Sequence, residues 1–421
     1  MSVYFQKFSF GNYNLPEKIA PDTFLSVVIP CYNEPHSLHT LQSLFDCSET
    51  LYPVEVMVVI NSSEADSVEV LEQNNKTLND ASVWISNHQK EKINFRILNA
   101  PNLPAKHAGV GLARKIGMDC AAMRFSEIQK ADGVIVCLDA DCTVANNYLC
   151  ELENHFIKNK NTTGCSIYFE HPLSGDLSEQ HYHAITDYEL FLRYYRLSLL
   201  YTGFPNHFHT IGSSMAVRNN IYQKQGGMNR RKAGEDFYFL HKVFPLGGFT
   251  VLNTTCVYPS ARESMRVPFG TGSAVTKILK QESNLSEEYK SYNFNIFKDL
   301  KKLFDVGHVF YELSAEKILS EVDRLPDSVK TFLLQNNISE KIIELQDNSA
   351  SSTQFLNRFW RWFDGFMVLK FVHFARDNFY ANENIEVCCD NLLCGLSKST
   401  NQIPQKKQLL FLMRDIDRNI S

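Results

Sequence analysis

An apolar, β-branched run, Val134-Ile135-Val136-Cys137-Leu138, ends in two carboxylates spaced i, i+2, Asp139 and Asp141. A run of that length and composition reads as a buried strand, and no basic residue lies within it to neutralise the acids. Like charges this close repel unless something positive sits between them. A divalent cation with hard oxygen ligands is the simplest partner, and a diphosphate can supply the further oxygens such an ion needs. The plainer reading is a strand running into an Asp-rich turn. A second unusual stretch, Ser260 to Gly272, holds Arg262 and Arg266 four residues apart, then Pro268, Gly270 and Gly272. That pattern suits a loop that closes on anions, or arginines that pair with Glu263 and other acids.

The elements that must position these groups alternate in kind. Phe24 to Pro30 is a first buried strand stopped by proline, and His36 to Phe45 has helical spacing. Val54 to Ile60 is a second strand, Ala65 to Leu78 a helix, Asn94 to Leu98 a third strand, and Lys106 to Phe125 a helix leading to the strand before Asp139. This alternation predicts a parallel sheet with right-handed crossovers, in which ligands sit outside the carboxyl ends of the strands. Tyr32, Asn33 and Glu34, Asn61 and Ser62, and Asp139 and Asp141 all fall at such ends. They offer one rim an aromatic face, polar side chains able to read a base, and metal-binding acids. Gly109-Val110-Gly111-Leu112-Ala113-Arg114 starts like a dinucleotide fingerprint, but Arg114 stands where the third glycine is required, which excludes a nicotinamide site. Lys106, Arg114 and Lys115 then either face phosphates or form a solvated helix face.

A chain of 421 residues has room for a large domain and a smaller one. A net charge of −5 argues against nucleic acid as the main partner. The N-terminus lacks the apolar core of a secretory signal, and no apolar run is long enough to span a membrane. Eleven cysteines, several inside apolar runs and none in a CxxC pair, suit reduced, core-packed thiols, so a cytoplasmic location is expected.

Val27 to Glu34, Val58 to Ser63, the glycine-bearing helix with Ala113-Arg114, and Leu138 to Asp141 together resemble the family 2 glycosyltransferases of GT-A fold. Further on, Gly212 to Arg218, Gly226-Gly227-Met228 and Gly234-Glu235-Asp236 look like that family's acceptor-side strand, Gly-Gly and Glu-Asp motifs. The resemblance covers roughly residues 24 to 275. It implies a Rossmann-like, mostly parallel sheet flanked by helices and a transfer from a nucleotide-diphosphate sugar to an acceptor hydroxyl. By the same likeness Asp139 and Asp141 would hold Mn²⁺ or Mg²⁺ against the diphosphate, Pro30, Tyr32 and Glu34 would lie beside the nucleobase, and Arg114 near the nucleotide. Asn61 stands where many members carry Asp, so the base is left open between a UDP- and a GDP-linked donor. An inverting transfer needs a carboxylate opposite the leaving diphosphate; Asp236 corresponds to that base, with Glu235 orienting it or the acceptor. The same pair also suits the first turn of a helix. Arg262 and Arg266 are assigned to the diphosphate or an anionic acceptor. The Gln-x-x-Arg-Trp motif of membrane-channel members is absent.

The expected organisation is a catalytic domain over residues 1–283 and a smaller, mainly helical domain over 284–421. In the latter, Phe355, Phe359, Trp362, Phe363, Phe366 and Leu369 form an aromatic stripe. A helical core is preferred to peripheral membrane contact through Arg358, Arg361, Lys370 and Arg376. The acceptor is a glycan, a lipid-linked sugar or a small molecule. Two other classes were weighed. A sugar-nucleotide nucleotidyltransferase would want a Gly-rich basic loop after the first strand, where Cys31-Tyr32-Asn33-Glu34-Pro35 stands instead. An inactive nucleotide-sugar-binding module would not need acids at 139, 141 and 236.

Overall fold

The computed structural model describes residues 3–11, 13–264, 270–282, 289–398 and 404–420. Within them the chain forms two compact units, Met1–Tyr182 with Thr210–Thr276, and His183–His209 with Lys277–Ile420. The boundary expected at 283/284 lies outside the described residues.

In the first unit the strands are β1 (Leu25–Cys31), β2 (Val54–Ser63), β3 (Ile93–Leu103), β4 (Val134–Cys137), β5 (Thr143–Val144), β6 (Gly164–Phe169), β7 (Met215–Arg218) and β8 (Phe249–Tyr258). They form a mostly parallel sheet in the order β3-β2-β1-β4-β7-β6-β8-β5. The pairs β1–β2, β1–β4, β2–β3 and β6–β8 are parallel, while β7 runs antiparallel to both β4 and β6. Every residue of β1 is buried, as a central strand covered on both faces requires. The strand passes through Pro30 and ends one residue later, because proline still fits a ladder position that needs no N–H from it.

The helices of this unit are α1 (Val3–Lys7), α2 (Ser37–Phe45), α3 (Val68–Asn87), α4 (Val110–Glu127), α5 (Tyr148–Lys158), α6 (Glu179–Thr202, whose greater part belongs to the second unit), α7 (Asn219–Lys224), α8 (Glu235–Val243) and α9 (Thr271–Glu282). Almost all of α4 is buried, so the solvated helix face considered for Arg114 and Lys115 is not present; Lys115 pairs with Asp119 at 3.1 Å. A glycine makes that packing possible. A Cβ at Gly117 would lie 2.3 Å from Val28 Cγ1 and 2.8 Å from Val59 Cγ2, so α4 can lie flat on β1 and β2 only without one. The N-terminal arm is tied down as well. Tyr4 and Tyr222 both donate to Asp119 Oδ1 at 2.5 Å, and Tyr4 Oη sits where a Cβ on Gly227 would fall.

The second unit is helical: α10 (Phe294–Val306), α11 (Ala315–Val322), α12 (Asp327–Gln335), α13 (Ile338–Asp347), α14 (Ser352–Trp362), α15 (Gly365–Asn378), α16 (Ile385–Gly395) and α17 (Lys406–Arg418). One short antiparallel pairing, Lys290–Ser291 with Glu383–Asn384, accompanies them. Phe355, Phe359 and Phe363 of the aromatic stripe are fully buried, which is what a helical core needs. The aromatic residues of α6 serve packing too: Tyr194 donates to the Tyr292 carbonyl at 2.7 Å and meets Phe297 edge-on. Beside them lies a buried ionic network. Glu189 accepts from Arg193 and Arg414, and Asp417 accepts from Arg193, Arg196 and His209. No helix among the described residues is long and apolar enough to cross a membrane.

Candidate active site

The carboxyl ends of β1, β2 and β4 share one edge of the sheet, and the loops there are bound to one another. After β1, Asn33 adopts a left-handed conformation (φ 48°), which Asn tolerates better than most residues. Its N–H donates to Asn74 Oδ1 at 2.8 Å, and Asn74 Nδ2 donates to the Asn61 carbonyl at 2.9 Å, tying the end of β1 to that of β2 through α3. Tyr32 donates to Asp66 Oδ1 at 2.8 Å. Asn61 is buried, and its side-chain Oδ1 finds no partner among the described residues. Pro30 is inside β1, so it contributes backbone to this edge.

Asp139 and Asp141 occupy the turn between β4 and β5, pinned from beneath by Thr40 of α2, whose hydroxyl donates to the Ala140 carbonyl at 2.8 Å. Both carboxylates reach solvent, with side chains 37% and 28% exposed. The sequence contains no basic residue beside them, but the fold supplies two from a distance. Arg114 of α4 donates to Asp139 Oδ1 at 2.6 Å, and Arg262, from the segment after β8, contacts Asp141 Oδ2 at 3.2 Å. The positive charge that these acids require is thus supplied in part by two guanidiniums.

Each arginine also serves a buried acid. Arg114 donates to Glu235, the first residue of α8, and Arg262 grips Glu34 through both terminal nitrogens, one at 2.9 Å. Glu34 and Glu235 are 1% and 3% exposed, so removing such a partner would leave a buried charge uncompensated. Glu34 is thus held by Arg262 and by the His36 N–H at 3.0 Å, and its carboxylate is not presented freely to a base.

Asp236 follows in the first turn of α8, behind Gly234, whose φ of 68° makes the turn into the helix. Burial raises its pKa. Arg114 and the N–H groups of Phe237 and Gly212 pull the other way, Asp139 adds to the rise, and the net direction is upward. A carboxyl with a raised pKa and a proton-accepting oxygen near the rim suits general-base chemistry. Burial also pushes the neighbouring Cys137 thiol up to about 12, which removes it as a nucleophile.

Two glycines that carry no chemistry of their own make the approach possible. A Cβ on Gly212 would sit 2.8 Å from both terminal nitrogens of Arg114, and one on Gly111 would sit 2.1 Å from the Arg231 carbonyl oxygen and 3.0 Å from Glu235 Cβ. Sequence reading assigned Gly212 and Gly111 to motifs without seeing what each makes room for. It also missed Asp66 and Asn74, which bear no local signature. Of the basic residues before α8, Arg231 stacks on Tyr238 at 3.5 Å and Arg230 lies over Phe10 at 4.9 Å, while Lys232 is exposed. Arg266 lies outside the described residues.

Around these two guanidiniums stand Glu34, Asp139, Asp141, Glu235 and Asp236, so among the described residues of the site acids outnumber bases. Among the described residues no group of three His, Cys, Asp or Glu side chains is placed to hold a metal ion. The protein's own share in any such site is the pair Asp139 and Asp141. Two carboxylates, with substrate phosphates and water completing the shell, is a donor set Mg²⁺ and similar ions accept, and the excess of acid makes the site fit a cation.

The family model described as glycosyl transferase family 2 matches residues 26–226, from β1 past the end of α7; Glu235, Asp236 and Arg262 lie beyond the match. Among solved structures, S. aureus TarS residues 1–349 in complex with UDP-GlcNAc is similar at 13% identity and a TM-score of 0.42, over 77% of this chain and 91% of that one. The same TarS fragment in complex with UDP is similar at 12% identity and a TM-score of 0.37, over 81% of this chain and 92% of that one. No curated protein matches the sequence. On the family match, and with the sheet order already described, residues 26–226 of this chain form a glycosyl transferase family 2 domain of GT-A-like fold.

Proposed function

We propose that the protein transfers a sugar from a nucleotide-diphosphate sugar, UDP- or GDP-linked, to an acceptor hydroxyl with inversion at the sugar. The observation that carries this reading is that one guanidinium, Arg114, joins Asp139 on the donor side to Glu235 beside Asp236. Donor-side and acceptor-side carboxylates are thereby held a fixed distance apart, as a displacement from the face opposite the leaving group demands.

Asp236 takes the proton from the attacking hydroxyl, its raised pKa making it a stronger base than an exposed carboxylate. Glu235 pairs with Arg114 and fixes the start of α8. Tyr32 and Asn61 stand at the strand ends where the base would lie, and the Oδ1 of Asn61 is buried without a partner among the described residues. A nucleotide diphosphate is itself an anion and would be repelled by a rim richer in acids than in bases. Mn²⁺ or Mg²⁺ held by Asp139 and Asp141 would supply the missing positive charge to the diphosphate as it leaves. The acceptor is a glycan, a lipid-linked sugar or a small molecule. The cysteines are free, and most are buried, which suits a reducing compartment and supports a cytoplasmic location.

The test is a panel of UDP- and GDP-sugars scored by thermal stabilisation with Mn²⁺ or Mg²⁺ present, comparing wild type with Asp141→Ala. A donor that raises Tm in the wild type, with the metal-dependent part lost in the variant, is the expected result. No shift with any donor, or an unchanged shift in Asp141→Ala, removes the metal site.

A further inference from the structure

Arg262 and Arg114 stand in similar positions, each shared by two acids, but they are held very differently. Arg114 rises from the buried helix α4, is 1% exposed, and touches its solvent-side partner Asp139 at 2.6 Å. Arg262 lies just after β8, its side chain is 21% exposed, and its contact with Asp141 is 3.2 Å. Its Nε is buried without a partner among the described residues, so only the two terminal nitrogens fix the group. Both of those nitrogens reach Glu34, which at 1% exposure cannot be left unpaired. The guanidinium is therefore anchored on Glu34 and leans on Asp141, the more exposed and more distant acid.

We propose that Arg262 is a positioning residue that sets the metal affinity of the site: anchored on Glu34, it is the counter-ion of Asp141 when no donor is bound, and a divalent cation binds by taking Asp141 from it. This rests on the cation reading of Asp139 and Asp141 given above. Two positive charges cannot share one carboxylate without mutual repulsion, so the cation works against Arg262 as long as the guanidinium has nowhere else to lean. A diphosphate gives it somewhere: its oxygens take bidentate arginine contacts as readily as a carboxylate does. Nucleotide diphosphate and cation then favour each other's binding, and by linkage the effect is equal in both directions. An otherwise acid-rich rim is in this way kept neutralised between turnovers, and free metal alone is bound weakly.

The experiment is direct titration of Mn²⁺, followed by the electron paramagnetic resonance of the free ion, with and without UDP or GDP. The proteins are wild type, Arg262→Gln, the double variant Glu34→Gln/Arg262→Gln, and Asp141→Ala. The double variant removes the buried carboxylate together with its arginine, so a fold defect is separable from a change at the site. Without nucleotide, Arg262→Gln is expected to bind Mn²⁺ about tenfold or more tighter than wild type, the effect of removing one nearby positive charge; the double variant, which loses the Glu34 charge as well, is expected to gain less. The tightening that nucleotide brings to the wild type should shrink in both. A residue that merely stabilised the loop would give weaker metal binding when removed, never tighter. If wild type binds Mn²⁺ in an Asp141-dependent way and neither folded variant lacking Arg262 binds it tighter, the role of Arg262 is overturned and the cation reading stands. If wild type binds no Mn²⁺ with either nucleotide, or Asp141→Ala binds it equally well, both fall together.

Discussion

Arg114 donates to Asp139 Oδ1 at 2.6 Å through one terminal nitrogen and to Glu235 through the other, so a single guanidinium spans the loop after β4 and the first turn of α8. The arrangement depends on a planar fork with two donors pointing apart, which a lysine ammonium on a flexible stem does not reproduce. It also depends on Gly212, where any side chain would meet the guanidinium at 2.8 Å.

Replacing Arg114 by Gln therefore strands a buried Glu235 and is expected to cost about 3–5 kcal/mol, the range for breaking a buried pair from one side. Urea denaturation checks it. Gly212→Ala should push the guanidinium off its partners and lower both stability and transfer without altering any charged group. Wild-type stability in both variants would show that the bridge contributes nothing.

Transfer should fall as the pH is lowered through the raised pKa of Asp236. The sign follows from the role: a general base works only when ionised, and a raised pKa keeps it protonated to a higher pH than an ordinary carboxylate, about 3.9. The ascending limb of kcat against pH should lie above that value and disappear in Asp236→Asn, which should keep donor affinity. Wild-type turnover in Asp236→Asn would take the residue out of the mechanism.

Acid should unfold the helical unit through the network around Asp417. Burial alone would raise the pKa of Asp417, but His209 and the guanidiniums of Arg193 and Arg196 outweigh it and hold the carboxyl far below its usual range. A depressed acid pKa gives stability that is full above the unfolded value and is lost as pH falls through the folded one. His209 adds to the same trend from a higher pH. Burial lowers its pKa, so the neutral ring is favoured in the fold and stability declines as pH drops below about 6.5, where the unfolded ring takes up its proton. Asp417→Asn should cost about 3–5 kcal/mol near neutral pH, by taking from buried Arg196 its acid and from Arg193 one of its two. It should also flatten the dependence of Tm on acid pH below 5. A melting temperature with the wild-type pH dependence would contradict this.

The sheet could be read from the chain because its central strands are buried on both faces. Residues 25–31, 54–60 and 134–137 therefore had to be largely apolar runs, broken only by Ser26 and by Glu55, which Arg124 pairs, and the acids at 139 and 141 had to fall where such a run stops. The helix start at Glu235 was equally legible from Gly234 and the apolar spacing that follows. What local pattern cannot carry is the identity of a charged partner far along the chain. Arg114 meets Glu235 at a separation of 121 residues and Arg262 meets Glu34 at 228. Nothing near Asp139 or Asp141 announces either arginine, so an acid pair that looks uncompensated in sequence is compensated in space. Likewise, residues 183–209 belong with the C-terminal helices because Glu189, Arg193 and Arg196 find their counter-charges at Arg414 and Asp417. Periodicity and burial act over a few residues and leave their mark on composition. Charge pairing acts through space, and only the fold decides which groups come within reach.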